Sequence, residues 1–192
     1  VHKHAQALGQ DAIHVADHFG GAHAWQHLTL GQIAGWQPPP SYVGRSIGSS
    51  SVNASVNVEK SVDLYGLRPS NDDQLAGIRK ILDGETEKER RKQGDGDTEL
   101  MKLSCIQLFS RGILNDILRI WSAKTASMDA DCSIDIQLLC GAGLDATIEF
   151  LKKTDNDLAR SALLRIGKCE ATGDFEDFTI HQKMKFCEEY YS

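Results

Sequence analysis

The sequence predicts an all-α fold: helical hairpins stacked side by side, preceded by an N-terminal helical hairpin and a Ser-rich loop. Three observations predict it. Apolar residues from Thr98 onward recur at i, i+4, i+7, the spacing of one helix face. Glycines recur at nearly constant offsets where hairpin turns would fall, and polar residues able to cap a helix precede the apolar stripes. A chain of 192 residues can bury a core without metal or disulfide support.

Taken in order, residues 1–36 read as two short helices, around Ala5 to Phe19 and Ala22 to Trp36. They are separated by Gly20-Gly21 and stopped by Pro38-Pro39-Pro40. Residues 37–69 read as an irregular Ser/Gly/Pro-rich linker. Within it, Ser41 to Ser55 alternate with Val52, Val56 and Val58, a polar loop with room for a short β-hairpin. A helical repeat domain is expected over 70–192. Ser70 and Asp73 have capping-box spacing, and Leu75, Ile78 and Leu82 follow at helical intervals, predicting a helix to about Lys92. Its basic run, Lys88 to Lys92, is interleaved with Glu85, Glu87 and Glu89 and reads as a solvated face. Gly94-Asp95-Gly96-Asp97 then breaks it.

The repeat units are expected at about 98–126, 127–153 and 154–181. Met101, Cys132 and Ala162 stand in register, as do Cys105, Ile136 and Ile166; Leu108, Leu139 and Cys169; and Gly112, Gly143 and Gly173. The second half of each unit aligns Ile117, Ile148 and Phe178, then Ile120, Leu151 and His181, with the last unit the least regular. Caps are expected at Asp97 or Thr98, Ser127 or Asp129, and Thr154 or Asp155. Trp121 is expected in the core between units. The aromatic C-terminus, with Phe186, Tyr190 and Tyr191, is expected to cap the stack.

Over about residues 98–181 the chain resembles the short HEAT-like helical repeat class. The resemblance is carried by the hairpin length, the turn glycines and the string Ala162-Leu163-Leu164-Arg165-Ile166-Gly167. The period is shorter than in most HEAT repeats, so the likeness is to an architecture. It implies an α-solenoid-like stack with a surface for protein recognition, and carries over no site residues.

Composition excludes several classes. A net charge of −6 argues against a phosphate-binding groove and hence against nucleic acid as partner. No run approaches the ~18 apolar residues of a membrane span. The five cysteines show no CxxC and no regular pairing, and most lie in apolar helical patterns. They read as small core residues in a reducing compartment, which places the protein in the cytoplasm as an expectation. Cys187, beside Glu188 and Glu189, reads as the most exposed of them.

The chemical feature with meaningful spacing is the histidine cluster near the N-terminus. His14 with His18, and His23 with His27, are i, i+4 pairs, and two imidazoles one turn apart can share a divalent transition metal such as zinc. On a helical wheel both pairs fall opposite the apolar stripes, which favours an exposed polar face. No HExxH accompanies them. Gly94 to Glu99 lacks the 12-residue spacing of a calcium loop and reads as a helix stop and start. The expected function is therefore non-enzymatic, with no cofactor: an acidic scaffold that binds a protein partner through its helical stack. Its charge favours a basic partner, and an inhibitor or immunity-type factor is one compatible case. The competing reading is a helical metal-binding protein or metal-dependent enzyme built on His14, His18, His23 and His27.

Overall fold

A computed structural model describes residues 56–191. Among them are eight α-helices and no strand. The predicted hairpin of residues 1–36, most of the linker and His14, His18, His23 and His27 lie outside the described residues. The first helix, α1 (Val58–Tyr65), falls where a polar loop was expected. Asn57 caps it by accepting the Lys60 amide, and Gly66 ends it at positive φ.

Helix α2 (Asp72–Arg91) runs close to its predicted length. Its cap lies one residue beyond the predicted box: the Asn71 side chain accepts the Gln74 amide, and Gln74 reaches back to accept the Ser70 amide at 2.7 Å. Leu75, Ile78 and Leu82 are fully buried on one face. Asp97 caps α3 (Thr98–Phe109), in which every residue from Leu100 to Phe109 except the half-buried Lys102 is buried. Helix α3 is thus enclosed on all sides rather than on one stripe, packed by α1, α2, α5 and a short 3-10 helix at Ile136–Leu139.

A second 3-10 turn, Leu114–Asp116, leads into α4 (Ile117–Lys124). Trp121 on α4 is buried, as expected, and its indole N–H donates to Ser161 at 2.8 Å. Helix α5 (Met128–Ser133) is capped by Ser127, α6 is Leu144–Lys153, and α7 (Asp157–Ala171) is capped by Asn156 rather than by Thr154 or Asp155. Helix α8 (Ile180–Tyr190) closes the described chain.

The aligned positions are met unevenly. Gly112, Gly143 and Gly173 all have positive φ, and Cys105, Ile136 and Ile166 are all buried. Cys132 is exposed where Met101 and Ala162 are fully buried, and His181 is exposed where Ile120 and Leu151 are buried. The principal helix pairs are α2 with α3 and α6 with α7, not α3 with α4 or α5 with α6.

The largest departure is the break after Ser133, where one helix was expected through Leu139. Ile134 and Asp135 are extended, and the buried Lys124 ammonium lies beside them. Its Nζ donates to the Asp131 and Ile134 carbonyls at 2.6 and 2.8 Å and pairs with the Asp131 carboxylate at 2.9 Å. The carbonyls freed by the break thus find a charged donor.

The two turns after α3 and before α6 touch through backbone. A Cβ on Gly141 would lie 2.3 Å from the Phe109 carbonyl oxygen, and one on Gly112 2.6 Å from the Gly141 oxygen. Only glycine permits that approach.

Candidate functional site

Among the described residues, a cleft with a volume of about 200 Å³ lies at the α7–α8 connection. One wall is the acidic segment Asp174 to Thr179, another is the Gln182, Lys183 and Phe186 face of α8, and Gln137 of the 3-10 helix forms the floor. Local sequence builds each part. Gly173 turns the chain at positive φ, and Asp177 holds φ 59°, uncommon outside glycine. Thr179 accepts the Gln182 amide at 3.1 Å and starts α8. From a distant element, Gln137 donates its amide to the Asp174 carbonyl at 2.8 Å and fixes the segment.

The cleft is negative and partly aromatic. Lys183, its only lysine, is paired with Asp135 at 2.6 Å, with its ammonium 5.6 Å from the Phe186 ring centre. The Asp174 carboxylate accepts the Thr172 hydroxyl at 3.0 Å and also a hydrogen bond from the Cys169 thiol. Glu176 and Asp177 form no ion pair among those residues. Phe178 lines the cleft and packs edge-on against Phe175 at 5.7 Å; Phe186 is 62% exposed. Small-molecule pockets begin near 300 Å³. A space of this size takes one side chain, and its charge suits a cation.

Other charged clusters are already satisfied internally. Asp116, almost fully buried, is held by both arms of the Arg79 guanidinium at 2.8 and 2.7 Å and by Arg119 at 3.0 Å. Glu89 accepts the amides of Gly94 and Gly96 at 2.9 and 3.1 Å and the Ser127 hydroxyl at 2.5 Å. The Ser127 hydroxyl bond holds the Glu89 carboxyl below its ordinary range against the effect of burial, with the two amides assisting. This corrects the solvated-face reading of Glu89, which is buried. It also explains the Gly94 to Asp97 loop, whose amides point at a protein carboxylate; a cation site would turn oxygens inward.

The thiols divide differently from expectation. Cys187, expected to be the most exposed, is 4% exposed, while Cys132 faces solvent. Burial raises the Cys105 thiol strongly and pushes Cys140 up to about 12, so both stay protonated at neutral pH. Among the described residues no group of three or more His, Cys, Asp or Glu is placed to hold a metal ion. The four histidines of the metal reading lie outside those residues, and His181 is exposed on α8. No described helix is long and apolar enough to cross a membrane.

The cleft has a signal in the sequence: Asp174-Phe175-Glu176-Asp177-Phe178 interleaves acids with aromatics between two helices. Aligning these residues to the repeat hides it, because the alignment treats Asp174 as a lost apolar position. Compared with protein families, curated proteins and solved structures, the chain finds no match in any of the three. What fold and cleft define, among the described residues, is an all-helical domain with an acidic, side-chain-sized recess.

Proposed function

We propose that the protein is a non-enzymatic recognition module that binds a basic protein partner, with the α7–α8 cleft receiving one Arg or Lys side chain. The observation that carries this reading is the pairing of Lys183 with Asp135, which leaves the negative charge of Glu176 and Asp177 without an ion-pair partner among the described residues, beside the Phe178 and Phe186 rings. A cation there gains from the carboxylates and from the ring faces. The chain's net charge of −6 adds long-range steering. The HEAT-like stack belongs to the same proposal, as a stack whose units are not interchangeable, and is supported by the shared left-handed turns at Gly112, Gly143 and Gly173. An inhibitor directed at a basic protein fits within it. The metal reading on His14, His18, His23 and His27 is a separate alternative that zinc titration of the full chain addresses.

The test is selection of a random peptide library on the full chain. Selected peptides are expected to share an Arg or Lys, to weaken steeply with salt, and to lose about tenfold in affinity, one charge-assisted contact, with Glu176→Gln/Asp177→Asn. Neutral binders, or binders indifferent to those substitutions, would overturn the proposal.

A further inference from the structure

Helix α8 is held differently from the rest of the described fold. Of its residues only Met184 and Cys187 are buried, whereas α3 buries every residue from Leu100 to Phe109 but Lys102. Tyr191 at its end packs partly buried against the core; the remaining ties are chiefly polar and reach far back along the chain. Tyr191 donates its hydroxyl to Glu99 at 2.7 Å, and Arg68 pairs with Glu188 at 2.7 Å. Lys183 pairs with Asp135, and the Lys102 ammonium sits 4.3 Å above the Tyr190 ring. The Arg68 and Glu188 side chains are 56% and 44% exposed, so water and salt compete for that pair. The connection from α7 is irregular from Thr172 to Thr179. Elements with little buried apolar surface and exposed ties open at lower cost than the global fold.

We propose that α8 is a strap that opens as a unit while the core around α3 stays folded, dismantling the cleft and exposing the Cys187 thiol as it leaves. The cleft shares its wall with the strap: Gln182, Lys183 and Phe186 leave with it, while Gln137 stays on the 3-10 helix. Any occupant that needs both walls binds only the closed form and holds the strap down, so occupancy and docking are linked. The inference does not depend on the identity of that occupant.

The cysteines supply the test. The full chain, in native buffer, is pulsed with a thiol-reactive reagent and mapped by peptide mass spectrometry. Exposed Cys132 reports the unhindered rate, and Cys105, buried on α3, reports global opening. Cys187 is expected to react more slowly than Cys132 but at least about tenfold faster than Cys105, as local opening requires. Arg68→Ala and Tyr191→Phe, or 1 M NaCl, are expected to raise the Cys187 rate severalfold and leave Cys105 unchanged. Amide exchange on the unaltered chain gives the parallel readout, faster in α8 than in α3. Equal protection of Cys187 and Cys105, with amides of both helices exchanging together, would overturn the strap. So would reaction of Cys187 at the Cys132 rate.

Discussion

A carboxylate gripped by two glycine amides and a serine hydroxyl stabilises the fold only while it is charged. Glu89 is in that position, with its pKa depressed first by the Ser127 hydroxyl bond. Burial acts to raise the Asp131 carboxyl, but Lys124 and Arg165 outweigh it and hold it low. A depressed folded pKa contributes stability that is present above the unfolded value, near 4, and is lost as pH falls through the folded one. Thermal melts from pH 6 down to pH 2 should therefore show Tm falling below about pH 4. Glu89→Gln should flatten part of that fall, and a parallel slope in the variant would count against the assignment. Glu89→Ala should cost about 2 kcal/mol in chemical denaturation, because the glycine amides and Ser127 lose their acceptor. For Lys124→Met the carbonyls of Asp131 and Ile134 lose a buried donor. Removing one partner of a buried pair costs ~3–5 kcal/mol, but the half-exposed Asp131 rehydrates, so about 2–3 kcal/mol is expected. A variant as stable as the parent protein would show that the break after Ser133 does not need the ammonium.

Helix ends and faces were the legible part of the elements. Leu75, Ile78 and Leu82 predicted α2 because their period is local, and the Gly94 to Asp97 stop needed only glycine's known effect. The α5 break was not legible: Cys132, Ile136 and Leu139 keep helical spacing, and the ammonium beside the break comes from Lys124 on another helix. Cap positions shifted by a residue or two wherever Asn, Asp, Ser and Thr lie close together, as at Ser70-Asn71. The two turn glycines before α6 separate two kinds of cost. Gly141→Ala places a Cβ against the Phe109 carbonyl and should cost about 3 kcal/mol by forced backbone movement. Gly143→Ala meets no atom within 4 Å, so only its φ of 98° resists the change, at about 1–2 kcal/mol. Denaturation midpoints that rank the two in the reverse order would refute that separation.

At the scale of the described domain, the cleft was half legible. Its acids and aromatics are consecutive in the chain, but Gln137 and Asp135, which fix the segment and neutralise Lys183, come from 37 and 48 residues away. Composition fixed the sign of the charge, and folding decided which carboxylates were left uncompensated. The enclosure of α3 also has a consequence for how such a protein can change length. In an array of equivalent units, one unit can be lost and its neighbours close ranks, because each presents the same face. Here α3 meets α2, α5 and the 3-10 helix on different sides, and the 109–112 turn admits only the glycine turn at 141. Deleting 127–153 should therefore abolish cooperative unfolding by circular dichroism, rather than give a shorter folded protein. The domain is edited one residue at a time or not at all.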